Sequence, residues 1–311
     1  MRVVFWGTPE FALASLLAVE SEGHHIAGVV TQPDRPAGRG RKLTPSPVRA
    51  RAEQEGYRVF TPERPRGDDF LYELSQLQPD VFVVVAYGHI LRPEVLDLPP
   101  RGCINVHASL LPELRGAAPI HRAIARGDER TGVTIMRLVP EMDAGPILHQ
   151  AEERIGPSDT TTVLSARLAE LGAELLVETL ALLEAGMAEE REQDHTRATF
   201  APKIDRATAR IDWSRPASEL DRHVRAMDQA PGAWTELDAQ PLKLFTPVPS
   251  PDTEAGAPPG TVVIADPQAG LVVACGEGRL GLREVQPAGR ARMPALDWLR
   301  GRGVEAGQRF Q

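Results

Sequence analysis

Two polar side chains on one short apolar strand are the first sign of chemistry in this sequence. The segment Gly102-Cys103-Ile104-Asn105-Val106-His107-Ala108 reads as extended chain. Residues two apart in a strand share a face, so Asn105 and His107 project together at its carboxyl end. Asn is depleted in strands because its amide must be satisfied and adds little apolar surface. Either residue alone reads as a satisfied core group; the same-face pair is what points to a site. Asp143 follows the apolar run 133–138, in the loop Pro140-Glu141-Met142-Asp143-Ala144-Gly145, where a turn role competes with a functional one.

Together the three suit acyl transfer to an amine. The Asn105 amide can donate to the oxyanion that develops on the acyl group. His107 can give that oxygen a second hydrogen bond, or carry the proton from attacking amine to leaving nitrogen. Asp143 can fix the orientation of the imidazole. This chemistry requires no metal, thiol nucleophile or phosphate loop.

Elements to hold such groups are legible upstream. Residues 3–6 form an apolar run ending at Gly7-Thr8-Pro9, helical spacing follows over 10–19, and 25–30, 81–86 and 103–107 read as further strands. Alternating strands and helices predict an α/β fold with a parallel, doubly wound, Rossmann-like sheet. Ligands should then lie beyond the carboxyl ends of the strands, where the loops carrying Gly7, Tyr87-Gly88, His107 and Asp143 are expected. Gly7-Thr8-Pro9 lacks the later glycines of a dinucleotide fingerprint, which argues against a nicotinamide cofactor. Leu164, Leu168, Leu171, Leu175 and Leu182 give residues 160–185 the stripe of a long helix packed on the sheet.

At 311 residues the chain exceeds what one core usually supports. Residues 189–203, rich in charge and poor in apolar side chains, read as a solvated connection. The expected division is a first domain over 1–189, a linker over 190–208 and a smaller domain over 209–311. In the last, apolar runs at 241–245, 260–264, 270–275 and 280–285, broken by Pro and Gly, predict a small β-barrel or sandwich.

A hydrophobic fraction of 42% with 25% charged residues is ordinary for a soluble protein. No stretch approaches the roughly 18 apolar residues of a membrane helix. The first residues run straight into a strand pattern, so a cytoplasmic location is expected. Cys103 and Cys275 read as reduced, buried thiols. The net charge of −8 hides an uneven distribution. Residues 33–51 hold six cations (Arg35, Arg39, Arg41, Lys42, Arg49, Arg51) against Asp34. Residues 279–302 hold six more (Arg279, Arg283, Arg290, Arg292, Arg300, Arg302) against Glu284 and Asp297. With Gly38 and Gly40 and no apolar face, residues 33–47 are expected to form a mobile, exposed excursion.

Ile104-Asn105-Val106-His107 with Ser109-Leu110-Leu111-Pro112, Arg115-Gly116-Ala117-Ala118-Pro119-Ile120, Gly132-Val133-Thr134-Ile135-Met136 and Met142-Asp143-Ala144-Gly145 resemble the folate-dependent formyltransferase family. Thr31 to Gly40, Ser46-Pro47-Val48, Val85-Ala86-Tyr87-Gly88 and Ala209-Arg210-Ile211-Asp212-Trp213 are similar to its tRNA-specific branch. The resemblance implies an OB-like C-terminal barrel that binds tRNA. It implies Asn105, His107 and Asp143 as the catalytic trio, and 10-formyltetrahydrofolate as a formyl donor held by Ser109, Leu110, Leu111, Pro112, Tyr87 and Gly88. It implies methionyl initiator tRNA as the acceptor, met by Arg35, Arg39, Arg41 and Lys42, with no metal and no obligate protein partner. Ala108 replaces a common glycine, and Asp228 to Trp234 departs from the family's usual loop. A sister enzyme acting on glycinamide ribonucleotide or an amino sugar, and a silent tRNA-binding descendant, are the competing readings. The basic segment and the second domain favour a polyanionic acceptor over a small amine.

Overall fold

The structure, a computed structural model, describes all residues except 38–41, 251–255 and 302, and only the backbone of 37, 42 and 249. The chain forms two compact units: Met1–Pro119 with Arg130–Arg154 and Ser165–Pro202, and Ile120–Glu129 with Ile155–Leu164 and Lys203–Gln311. The segment expected as a linker is therefore split, its first part lying in the first unit. Dense charge marks solvent contact but does not reveal backbone partners. Arg191 pairs with Ile147, and Phe200 with Arg115.

Within the first unit, β1 (Arg2–Gly7), α1 (Phe11–Ser21) and β2 (His25–Val30) are followed by a ribbon of β3 (Arg35–Ala37) and β4 (Lys42–Thr44). Then come α2 (Pro47–Gln54), β5 (Val59–Phe60), α3 (Asp68–Gln76), β6 (Val81–Val85), α4 (Pro93–Leu96) and β7 (Cys103–His107). After α5 (Pro119–Arg126), which beyond Pro119 belongs to the second unit, the sheet gains β8 (Arg130–Arg137) and β9 (Ile147–Arg154), and α6 (Thr161–Ala185) follows, its residues from Ser165 on in the first unit. The strand order is β5-β2-β1-β6-β7-β8-β9. β6 is buried throughout, as is β1 after Arg2. Such continuous apolar runs belong to strands covered on both faces.

Pairing is parallel as far as β7, but β7–β8 and β8–β9 are antiparallel. The expected parallel, Rossmann-like sheet thus carries two antiparallel strands at one edge, and this changes the end of β7 from which the Asp143 loop departs. Because β8 runs against β7, Arg137 lies opposite Ile104, and the Leu138 N–H donates to the Cys103 carbonyl. The loop thus leaves from the amino end of β7. It must return roughly 10 Å, three residues of strand rise, to bring Asp143 to His107.

In the second unit, α7 (Ala217–Ala226) precedes β10 (Ala233–Leu237), β11 (Gln240–Pro249), β12 (Val262–Asp266), β13 (Gly270–Ala274), β14 (Arg279–Pro287), β15 (Met293–Pro294) and α8 (Ala295–Arg300). The antiparallel order is β10-β11-β14-β13-β12, with β15 on β14. Among the described residues no ladder joins β10 directly to β12; residues 307–311 bridge them, the Val262 N–H donating to the Gln308 carbonyl at 2.9 Å and Glu236 and Gln311 exchanging backbone hydrogen bonds at 3.2 and 3.0 Å. Punctuated apolar runs specify neighbouring strands, whereas closure depends on tilt and stagger that such runs do not encode.

Glycine at position 172 sets how closely α6 supports β7. A Cβ there would stand 2.8 Å from Cγ1 of Val106 and 3.4 Å from Cγ1 of Val133, on the face opposite Asn105 and His107. In Gly172→Leu, better helix propensity contributes about 1 kcal/mol, and overpacking costs about 1–3 kcal/mol. The steric term should win, lowering the urea midpoint; an unchanged midpoint would show that α6 has room to shift.

Candidate active site

β7 carries Asn105 opposite Val84 on one side and Met136 on the other. Asn105 is half-buried, and among the described residues nothing hydrogen-bonds its amide, which leaves the NH₂ for a ligand. His107 is 6% exposed, and its Nε2 lies 3.1 Å from the carbonyl oxygen of Leu114. A carbonyl only accepts, so Nε2 carries the proton and the neutral ring holds its lone pair on Nδ1. Nδ1 faces Asp143 Oδ2 at 3.7 Å, beyond direct hydrogen-bond reach. The same Oδ2 accepts the Gly116 N–H at 2.7 Å. Leu114 at φ 58° and Asp143 at φ 50° are both left-handed, at about 1–2 kcal/mol each for residues with a Cβ. Their surroundings must hold them there.

Ser109 to Pro112 is tied down from β8. The buried Thr134 hydroxyl donates to the Ser109 carbonyl at 2.7 Å and accepts from the Leu111 N–H at 3.1 Å and Gln150 Nε2 at 2.9 Å. Gln150 Nε2 also donates to the Leu111 carbonyl. Ser109 and Leu111 are buried, while Leu110 and Pro112 are partly open. Leu110 helps line a cleft of about 530 Å³ along β9, with Ile147, Gln150 and Arg191.

Tyr87 is placed differently from what a ligand-binding side chain requires. Its ring packs 5.2 Å from Trp6 in the core, its hydroxyl is buried without a partner, and burial pushes the phenol pKa well up. What it offers is backbone: its carbonyl accepts from Gln32 Nε2 at 2.8 Å, and Gly88 follows. Sequence reasoning missed two exposed apolar side chains on the site-bearing loops, Ile90 at 72% and Met142 at 50%. A large apolar residue in a segment otherwise composed for a loop was the available signal.

The cations fare unevenly. β3 and β4 pair from Arg35 to Thr44, so the excursion is anchored by a ribbon; Arg39 and Arg41 lie outside the described residues, as does the Lys42 side chain. The exposed Arg35 donates to Gln32 Oε1 at 2.7 Å. Arg49 is engaged by Asp34 and Glu53, and Arg51 by Glu20 and Glu55. In the second unit, Arg292 binds Asp228 at 2.8 Å and Glu284 at 2.6 Å and lies over Phe245; its hydrogen bond holds the Glu284 carboxyl below its usual range. Arg300 pairs with Asp297, and Arg302 lies outside the described residues. The expected cationic surface over 279–302 is thinner than its count. Arg206 and Arg210 instead flank the Trp234 ring at 4.7 and 5.2 Å, a cluster that sequence reasoning did not single out.

Both cysteines are free and buried, and desolvation pushes the thiol of Cys103 to about 12 and that of Cys275 to about 11. Among the described residues no three His, Cys, Asp or Glu side chains group as metal ligands. No helix among them is long and apolar enough to cross a membrane.

The sequence matches the formyl transferase family over residues 1–180 and the formyl transferase C-terminal domain over 203–303. It is 48% identical over 313 residues to methionyl-tRNA formyltransferase of Methylococcus capsulatus, covering 100% of this chain and 99% of that one. It is 48% identical over 310 residues to the methionyl-tRNA formyltransferase of Symbiobacterium thermophilum, covering 100% and 95%. Among solved structures, HypX from Aquifex aeolicus in complex with tetrahydrofolic acid aligns with a TM-score of 0.69 at 17% identity, covering 96% of this chain and 47% of that chain. This chain spans about half the length of HypX, and the likeness is one of fold.

Thr134 is the hub of the segment after His107, and Thr134→Val removes the hydroxyl at nearly constant volume. The Leu111 N–H loses its partner, at about 1–3 kcal/mol for a buried donor left unmade. A lower urea midpoint with faster amide exchange at Leu111 is expected; exchange at the wild-type rate would show that the segment is held by other contacts.

Proposed function

The chain belongs to the formyl transferase family, and on that premise we propose that it moves the formyl group of 10-formyltetrahydrofolate onto the α-amino group of methionyl initiator tRNA. The observation that carries this reading is the 48% identity, over the whole of both chains, to a methionyl-tRNA formyltransferase. The site geometry supplies the chemistry.

Bound 10-formyltetrahydrofolate supplies an electrophilic formyl carbon. Exposed Ile90 and Met142 suit the apolar benzoyl ring of the donor, and the Tyr87 backbone, Gly88 and the Ser109 to Pro112 segment, with their backbone donors and acceptors for its polar pterin, complete the set of residues that would hold it. Asn105 donates its free amide hydrogens to the formyl oxygen as negative charge grows there. His107, with Nε2–H committed to Leu114, accepts the proton of the attacking amine at Nδ1 and returns it to the departing nitrogen. Asp143 faces the nitrogen that becomes positive, and its carboxylate is itself steadied by Gly116. The tRNA is met by Arg35, Arg39, Arg41 and Lys42, whose charges suit phosphates. This reaction belongs with translation, in the cytoplasm.

Formylation assays with charged initiator tRNA, charged elongator tRNA, glycinamide ribonucleotide and an amino sugar test the acceptor. Product on the initiator tRNA is expected; product on a small amine alone would overturn the reading. Asn105→Ala and His107→Ala should each lower kcat about 10²- to 10⁴-fold. The double variant should lose less than the product of the two, because the residues act as one unit. Near-wild-type turnover of either single variant would remove that residue from the mechanism.

Arg39→Ala should lower kcat/KM for charged tRNA while leaving KM for the folate unchanged, and raising salt should weaken tRNA binding less steeply in the variant. Identical salt slopes would show that Arg39 meets no phosphate.

A further inference from the structure

Gln193 is 5% exposed, although it stands in the charge-rich segment that composition assigns to solvent. Both hydrogens of its Nε2 are used, one toward the Asp143 carbonyl at 2.9 Å and one toward the Gly145 carbonyl at 2.7 Å. Its Oε1 accepts from Arg115 Nε at 3.1 Å and Nη2 at 2.6 Å. A flipped amide would set oxygen against two carbonyls and NH₂ against a guanidinium, so the orientation is determined.

Arg115 is itself 6% exposed. Its Nη2 also reaches His195 Nδ1 at 2.9 Å, and among the described residues no carboxylate lies within ion-pair distance. A guanidinium buried among neutral partners is poorly compensated for its lost hydration, so stability alone does not account for it.

The backbone of Arg115 is anchored on both sides. Its N–H donates to the Thr199 carbonyl at 2.9 Å, and its carbonyl accepts from the Ala201 N–H at 2.7 Å. The next residue is Gly116 at φ 121°, where a Cβ would meet the Ala201 carbonyl oxygen at 2.8 Å. Gly116 N–H then donates to the Asp143 carboxylate. The result is a closed ring in which one anchored segment grips Asp143 twice, at its carbonyl through Gln193 and at its carboxylate through Gly116.

We propose that Gln193, oriented by Arg115, is the positioning residue that holds Asp143 at its distance from His107. This rests on the reading of Asp143 in formyl transfer given above. The ring supplies what a left-handed Asp143 on a loop returning from the far end of β7 requires. Without it the carboxylate drifts, and a misplacement of about 1 Å at a reacting centre costs on the order of 10²-fold in rate.

The test is a double-variant cycle on the full-length enzyme, assayed with methionyl initiator tRNA and 10-formyltetrahydrofolate below the lowest unfolding midpoint of the set. Gln193→Glu keeps an acceptor for Arg115 but replaces the donors to Asp143 and Gly145 with oxygen. Its kcat should fall roughly ten- to a hundredfold, with KM for both substrates within about twofold. Asp143→Asn should lose at least as much, and the double variant should lose no more than Asp143→Asn alone, because nothing remains to be positioned. Arg115→Lys, which keeps the charge but not the two-pronged contact, should show a smaller loss of the same kind. Wild-type kcat in Gln193→Glu, or losses that multiply in the double variant, would overturn the proposal. Asp143→Asn at the wild-type rate would overturn the role given to Asp143 and the proposal with it, and that failure is visible in the single variant.

Discussion

The hydrogen bond between His107 Nε2 and the Leu114 carbonyl is the constraint around which the rest of the site is arranged. It decides the tautomer, and so which ring nitrogen is left to exchange a proton. To aim that carbonyl, Leu114 takes a left-handed conformation, and its N–H is held by the Thr199 hydroxyl at 2.9 Å. The chain between His107 and Leu114 is pinned in turn by Thr134 and Gln150. Local strain at Leu114 and Asp143 is tolerated because neighbouring hydrogen bonds over-determine both positions.

Residues 193–201 recur in this support. Gln193, His195, Thr199 and Ala201 all bond to the loop that follows β7, and Gln193 also bonds to the loop that carries Asp143. A segment whose composition indicates exposure thus serves as an outer brace, its charged side chains facing solvent while its backbone and one amide face inward. The change from parallel to antiparallel pairing at β7 matters for the same reason. It sends the Asp143 loop out from the wrong end of the strand, and bonds from outside the sheet must draw it back.

Charge shows a similar division between count and arrangement. The two basic clusters look alike in sequence, yet Arg49, Arg51, Arg292 and Arg300 have carboxylate partners, whereas the exposed Arg35 has, among the described residues, a neutral amide as its hydrogen-bond partner. A cation whose field is already neutralised adds little to phosphate attraction. Spatial pairing, which decides how many charges remain for a polyanion, depends on which carboxylates the fold brings near.

By itself the sequence determined the strands that read as apolar runs, β2 and β7 to the residue, together with the long helix α6 and the shared face of Asn105 and His107. Period and composition are local properties, and the chain carries them before it folds. The motifs around His107 and Asp143 were legible in the same way, as was the family they indicate. Tertiary structure decided the direction of β8, the bridging of β10 and β12 by residues 307–311, the burial of Tyr87 and the inward turn of Gln193. None of these is a property of a segment. Each follows from which distant backbone or side-chain group completes a hydrogen bond or covers a face, and such partners are chosen only when the whole chain packs.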